Sequence, residues 1–407
     1  MVNIIQKREY LEGVLRKMVE ILDITPTQHK EAVEKYQAVT NYLKEDDNIA
    51  RYGLEMYPQG SFSLGTVTKP DSDIDELDID LVCELTSANH NDFSQYQLKQ
   101  LIGNRLKSGR YKDMLASPDG RRCWRIDYAE STRFHLDILP SIPDKSRTNV
   151  TFLHVKDYSK SAISITDKQD DNYYRINENW HKSNPKGYLE WFKKQMIVQL
   201  NESKKLFSAR NNVKIDEVPD YEVKTPLQRA IQIMKRHRNT MFCNTPGLNY
   251  DDKPISIIIT TLAAKAYSNE ANLYDALMNI LAKMPDYINY KYINGRKVTW
   301  IENPVDSREN FADKWETYPV REKNFYLWIE EAKEYFRALL QKEGQHVLNE
   351  SLQKGFGDKL IKKTFSAIGE DTRIQRERGA LGVTMTGIIN ESAPKKVHNH
   401  TFYGKKE

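Results

Sequence analysis

Asp78 and Asp80 are two carboxylates one residue apart in the run Asp78-Ile79-Asp80-Leu81-Val82. Successive side chains of an extended strand alternate faces, so the two acids share one face while Ile79 and Leu81 enter a core. Carboxylates this close repel one another unless a cation lies between them. Hard divalent ions such as Mg²⁺ take oxygen ligands, and two ions about 4 Å apart can clamp the attacking and leaving oxygens of a phosphoryl transfer. Such a site needs a third carboxylate from a neighbouring strand. Asp137, inside Phe134-His135-Leu136-Asp137-Ile138-Leu139-Pro140, is a charge in an otherwise apolar strand, which is costly without a partner. Its rival is Asp127 in Trp124-Arg125-Ile126-Asp127-Tyr128, but Arg125 stands two residues away on the same strand face and can satisfy it.

Upstream, Gln59-Gly60-Ser61-Phe62-Ser63-Leu64-Gly65-Thr66 offers donors instead of acceptors. Glycine lets backbone N–H groups come close to a phosphate, and the serine hydroxyl adds another donor. A Gly-Ser pair alone signals nothing. Followed by the acidic strand and a later lone strand aspartate, it becomes specific. A second alternating pair, Asp73-Ile74-Asp75, has no apolar continuation and reads as a solvated loop.

These residues must be held by structure, and the chain reads in two styles. The first 50 or so residues read as helix, with Thr25-Pro26-Thr27-Gln28 as N-cap, first-turn proline and reciprocal cap. Val33, Tyr36, Val39 and Leu43 then form one apolar stripe. Residues 52–143 break into short apolar runs separated by Gly, Pro and Asp, which predicts strands, including a hairpin of 123–128 with 134–139 around Glu130-Ser131-Thr132. Residues 144–182 carry no clear period. Helix resumes at 188–200, a charged stretch at 201–224 reads as a connection, and 225–361 reads mainly as helices at 227–238, 255–267, 273–284 and 324–340. The end of the chain is polar and reads as a mobile tail.

Composition fits a globular chain of two lobes: 407 residues, 39% hydrophobic, 29% charged and a net charge of only +4, which announces no nucleic-acid binder. Cys83, Cys123 and Cys243 show no metal-type spacing and predict free, buried thiols in a reducing compartment. Neither a signal peptide nor a membrane span is visible, so a soluble cytoplasmic protein is expected.

In order along the chain, these segments resemble the polymerase-β-like nucleotidyltransferases. Within them they resemble the bacterial CD-NTases, cyclic-oligonucleotide synthases related to cyclic GMP–AMP synthase and oligoadenylate synthase. Further matching segments are Asn184-Pro185-Lys186-Gly187-Tyr188 through Trp191-Phe192, Leu227-Gln228 through Lys235-Arg236-His237-Arg238, Lys253-Pro254-Ile255-Ser256, and Asn303-Pro304 through Asn310-Phe311-Ala312-Asp313. The resemblance implies an α+β fold. Residues 1–215 would form a catalytic lobe with a mixed sheet, 216–370 a helical nucleotide-binding lobe, and 371–407 a flexible tail, with the active site in the cleft.

It further implies that Asp78, Asp80 and Asp137 are the catalytic, metal-binding residues, holding two Mg²⁺ ions with Mn²⁺ as a substitute. Gln59, Gly60 and Ser61 would bind the donor nucleotide's phosphates, Lys235 would reach the triphosphate as a point charge, and Ser256 would donate to it. The plain readings beside these are a solvated helix end for the basic run around Lys235, a helix cap for Ser256, and a packed ring for His135. The implied reaction joins nucleoside triphosphates into a cyclic di- or trinucleotide second messenger, in bacterial anti-phage signalling. A linear oligonucleotide synthase, an adenylyltransferase and a nucleotide-binding pseudoenzyme scaffold are the alternatives. Implied partners are nucleoside triphosphates and a regulatory or conjugating protein at the tail, with no membrane and no sequence-specific nucleic acid. The tail expectation falls on Gly404, after Phe402-Tyr403, as a conjugation point once Lys405-Lys406-Glu407 are trimmed. No His/Cys cluster matches the zinc insertion of animal relatives.

Overall fold

The computed structural model describes residues 4–69, 77–128, 134–145 and 158–380, with three two-residue strands beyond. The Asp73-Asp75 pair, the expected hairpin tip at Glu130-Ser131-Thr132, and Gly404 lie outside the described residues. The first helices are α1 (Ile4–Leu22), α2 (Pro26–Lys44) and the short α3 (Asp47–Ala50). The α2 start is a capping box. Thr25 Oγ1 accepts from Gln28 N at 3.1 Å, and Gln28 Oε1 accepts from Thr25 N at 3.0 Å.

Next come β1 (Leu54–Pro58), α4 (Gly60–Ser63), β2 (Leu77–Leu85), α5 (Gln95–Lys107), β3 (Trp124–Asp127), β4 (Phe134–Pro143), β5 (Ile163–Ile165) and β6 (His181–Ser183). They form one mixed sheet in the order β1-β2-β4-β5-β6, with β3 pairing with β4. Only the β2–β4 pair is parallel. A parallel neighbour requires a crossover, and α5 lies on it. Leu98, Ile102 and Leu106 of α5 bury against Ile79, Leu81, Leu136 and Ile138 in one cluster. Within 144–182, where the sequence carries no clear period, the described residues form the short strand β5 and the start of β6, which closes that edge of the sheet.

The rest of the chain is mainly helical: α6 (Pro185–Gln195), α7 (Ile197–Asn211), α8 (Pro226–Asn244), α9 (Ser256–Ala266), α10 (Leu273–Lys283), α11 (Asp313–Thr317), α12 (Pro319–Gln341), α13 (Gln345–Phe356) and α14 (Asp358–Glu377). All but α7, whose Leu200 joins a small cluster with Val218 and Val223, share a second core. The expected single helix at 188–200 is two helices broken at Met196, and the first part of the expected connection, 201–211, belongs to α7. The mainly helical stretch also contains β7 (Asn289–Ile293), β8 (Arg296–Trp300), β9 (Glu302–Asn303) and β10 (Asp306–Asn310). Asn294 and Gly295 both have positive φ, 51° and 77°, and form the two-residue turn of the β7–β8 hairpin.

Helix α1 contributes Leu11, Val14, Leu15, Met18, Val19 and Leu22 to this second core. Its Glu12 carboxylate also accepts from Leu273 N at 3.0 Å and Tyr274 N at 2.8 Å, satisfying orphan donors at the start of α10. All three cysteines are free. Cys83 is buried and Cys123 half-buried, whereas Cys243 is exposed near the end of α8, against the expectation of burial. Among the described residues, no helix is long and apolar enough to cross a membrane.

Candidate active site

Strand register brings the carboxylates onto one face. The parallel pairing sets Asp80 beside Asp137 and Asp78 beside His135. On the other side of β4, β3 sets Arg125 beside Asp137 and Asp127 beside His135. Residues opposite one another on neighbouring strands share a face. The row Asp80, Asp137, Arg125 therefore lies next to the row Asp78, His135, Asp127. Ile79 and Leu81 face the core and are fully buried.

Arg125 grips Asp137 in a fork, Nε to Oδ1 at 2.9 Å and the terminal nitrogen to Oδ2 at 3.0 Å. The expectation that Arg125 satisfies Asp127 is overturned. Residues two apart on a strand are separated by about 6.8 Å, whereas cross-strand neighbours lie about 5 Å apart. His135 Nε2 lies 3.0 Å from Asp78 Oδ1, so the ring reads as a partner of that carboxylate. One ligand atom each from Asp78, His135 and Asp137 lies within 4.8 Å of the others.

Asp80 and Asp137 are half-buried on this face, whereas Asp78 is exposed. Burial first, then the charges of Asp78 and Asp137, push the Asp80 carboxyl up from 3.8 to about 7. Gly60 packs directly on it. An added Cβ there would stand 2.7 Å from Asp80 Oδ2, and the Gly60 φ of +62° is left-handed. Gln59 N also donates to Asp80 O at 2.8 Å, so the Gln59-Gly60-Ser61 turn and the acidic strand are one unit.

Hard oxygen donors converging on a carboxyl destabilised by like charge fit a divalent cation. A raised carboxyl in the folded chain stabilises below about pH 4, and that contribution is lost as pH rises through about 7. A divalent cation offsets the loss. Millimolar Mg²⁺ or Mn²⁺ should therefore raise the melting temperature more at pH 8 than at pH 5.5, because at acid pH the metal must displace a proton. Scanning fluorimetry of metal-free protein at both values measures this. Equal shifts at the two pH values would count against a cation at Asp80.

The basic run on α8 is buried rather than solvated. Lys235 Nζ donates to Thr66 O at 3.0 Å, in the segment that follows the Gly-Ser turn. Burial first, then Arg238, lower its ammonium to about 7, against the attraction of Asp80 and Asp78. Arg236 makes two bonds to Phe356 O at 2.9 and 2.8 Å. His237 sits among Tyr335, Phe336 and Phe356, and burial pushes it down to about 4. Arg238 reaches Pro254 O at 2.6 Å and Ser256 Oγ at 3.3 Å.

Ser256 is the first residue of α9, and the cap residue before it is Ile255, which caps with no side-chain bond. Its hydroxyl is held by Arg238 rather than capping the helix. Sequence reasoning missed Arg125 as the partner of Asp137. It also missed Lys224, Gln228 and Gln232, which reach the same loop as Lys235; a donor at 228, 232 and 235 on one helix face was the available signal.

A family model described as "Cyclic GMP-AMP synthase DncV-like, nucleotidyltransferase domain" matches residues 54–140. A c-di-GMP synthase of Roseivirga ehrenbergii is 32% identical over 401 residues, 97% of each chain. The cyclic dinucleotide synthase CdnG of Bradyrhizobium diazoefficiens is 23% identical over 93% of this chain and 88% of its own. The solved CdnG structure in complex with GTP superposes with a TM-score of 0.63 at 20% identity, over 88% of this chain and 99% of that one. The structure of E. coli MS115-1 CdnC with ATP gives 0.57 at 13% identity, over 86% and 98%.

Proposed function

We propose that this chain, which belongs to the bacterial CD-NTases, joins two nucleoside triphosphates into a cyclic dinucleotide that serves as a second messenger. It is a nucleotidyltransferase. A ribose hydroxyl oxygen bonds to the α-phosphorus of a second triphosphate, the bond to the β-phosphate oxygen breaks, the hydroxyl proton leaves, and pyrophosphate departs. A second such step closes the ring. The observation that carries the reading is the single face on which Asp78, Asp80 and Asp137 converge beside the Gly60-Ser61 turn.

In this reading Asp78, Asp80 and Asp137 hold Mg²⁺, two ions, with Mn²⁺ as a substitute. The metal, when bound, neutralises charge on the reacting and leaving oxygens. Asp137 would also accept the proton of the attacking hydroxyl, and the Arg125 fork fixes its orientation. Gln59, Gly60 and Ser61 bind the donor phosphates, Lys235 supplies positive charge beside them, and Ser256 completes the donor set from the helical side. Catalysis rests on position and electrostatics with no covalent enzyme intermediate.

The relative of 32% identity is named a c-di-GMP synthase, which favours GTP as substrate here. Three free thiols and a demand for nucleoside triphosphates support a cytoplasmic location, and membership of the CD-NTases is what supports a role in anti-phage signalling. Incubation with the four triphosphates and Mg²⁺, followed by phosphatase and mass spectrometry, tests the reading. A phosphatase-resistant product with the mass of cyclic di-GMP is expected. A phosphatase-sensitive linear product would favour the linear synthase.

A further inference from the structure

The segment that follows the Gly-Ser turn is built without regular structure, yet four successive carbonyls in it each take a side-chain donor from the helical side. Gln228 Nε2 donates to Leu64 O at 2.9 Å, and Lys224 Nζ to Gly65 O at 3.0 Å. Lys235 Nζ donates to Thr66 O at 3.0 Å, and Gln232 Nε2 to Val67 O at 2.7 Å. Residues 228, 232 and 235 are spaced i, i+4, i+7, which places them on one face of α8. Lys224 stands just before its Thr225 cap. Gly65 is required at the centre of this ladder: its φ is +66°, and an added Cβ would lie 2.5 Å from Gln228 Nε2.

The ladder reaches the Gly-Ser turn through the backbone. Thr66 N donates to Ser61 O at 2.9 Å, Leu64 N to Gly60 O at 3.2 Å, and Gly65 N to Phe62 O at 3.2 Å. Thr66 is thus pinned on both sides, its N–H to Ser61 and its carbonyl to Lys235. Carbonyl oxygens carry the negative end of the peptide dipole, and a triphosphate is repelled by any that turn toward it. Holding three of them on α8 and the fourth on Lys224 just before it keeps them occupied and fixes the turn from behind.

We propose that Gln228 and Gln232 are positioning residues for the triphosphate: through this donor ladder, α8 sets the conformation of the Gly60-Ser61 turn. The proposal rests on the reading of that turn as the phosphate-binding element. Gln232 supports it in a further way. Its Oε1 is buried with no hydrogen-bond partner among the described residues, so the residue serves here only as a donor, to Val67 O and, at 3.2 Å, to Asp23 Oδ1. A side chain kept for stability alone is better apolar at such a place, since a buried orphan acceptor is unfavourable.

Two variants separate positioning from support. Gln232→Met removes the donor together with the orphaned acceptor. Gln228→Glu keeps the oxygen that caps Thr225 N, a 2.9 Å bond, and removes the donor to Leu64 O. Each is measured for steady-state kinetics with GTP, for affinity toward GTP carrying a methylene between its α- and β-phosphates, and for melting temperature. Both variants should weaken analogue binding and raise KM by roughly three- to tenfold, the effect of one hydrogen bond. The change in kcat should be smaller, and Gln232→Met should not melt earlier than the parent. Unchanged affinity and KM in both variants would overturn the proposal, as would early melting of Gln232→Met with KM unaltered. Failure of the unaltered protein to bind any triphosphate would count against the phosphate-binding reading instead.

Discussion

Asp80→Asn is expected to eliminate cyclic product while making the metal-free protein melt higher at neutral and alkaline pH. The two effects have one cause. Asp80 is buried beside Asp78 and Asp137, and its carboxyl is pushed up to about 7 by that burial and by their charge. Above pH 7 the folded chain must carry the ion, whereas the unfolded chain ionises without strain near pH 4. Asparagine has the same shape and no charge, so the repulsion disappears. The same change removes an anionic ligand, and metal clamping supplies several kcal/mol of transition-state stabilisation. A loss of that size corresponds to roughly 10³-fold in rate or more. Pyrophosphate release and scanning fluorimetry, run at about pH 8 with and without Mg²⁺, read both effects. The metal-induced rise in melting temperature should shrink in the variant. Near-normal turnover would remove Asp80 from the site, and a lower melting point without metal would contradict the electrostatic account.

Much of this arrangement was legible in the sequence because it depends on local rules. The alternation that puts Asp78 and Asp80 on one face is a property of any strand, and Asp137 announced itself as a charge among apolar residues. The α2 cap could be read from Thr25 and Gln28 alone. The partner of Arg125 could not, because it is set by cross-strand register. Sequence distance favoured Asp127, while the β3–β4 pairing put Asp137 directly opposite.

The burial of Lys235, Arg236 and Arg238 was hidden for a different reason. Their partners are the main-chain carbonyls of Thr66, Phe356 and Pro254, up to 169 residues away. Every residue has a carbonyl, so nothing in the side-chain pattern marks which ones a buried cation will meet. Three cations and a histidine therefore left a solvated helix end open as the plain reading beside the triphosphate role of Lys235. The β7–β8 hairpin was missed although Asn294-Gly295 is a strong turn signal, because helical segments on both sides dominated the reading. Four strands with few buried side chains contribute little apolar period of their own.

Gly60→Ala should lower activity strongly, though less than loss of the Asp80 carboxylate, while moving stability the opposite way from Asp80→Asn. Gly60 has a φ of +62°, and placing a residue with a Cβ there costs about 1–2 kcal/mol. The new methyl carbon would also stand 2.7 Å from Asp80 Oδ2, well inside contact distance. Relief cannot come from the backbone, since Gln59 N is bonded to Asp80 O at 2.8 Å and Leu64 N to Gly60 O at 3.2 Å. The carboxylate itself must rotate or retreat. Displacements of about 1 Å in a reacting constellation can lower rates roughly 10²-fold. The expected variant therefore folds, melts a few degrees lower as about 1–2 kcal/mol implies for a chain of this size, and turns over about 10²-fold more slowly. Kinetics paired with a melting curve distinguish the causes. Lower stability with full activity would mean that the close approach of Gly60 to Asp80 is a packing detail. Lost activity with an unchanged melting point would mean that the turn adapts without strain and that the carboxylate alone is displaced.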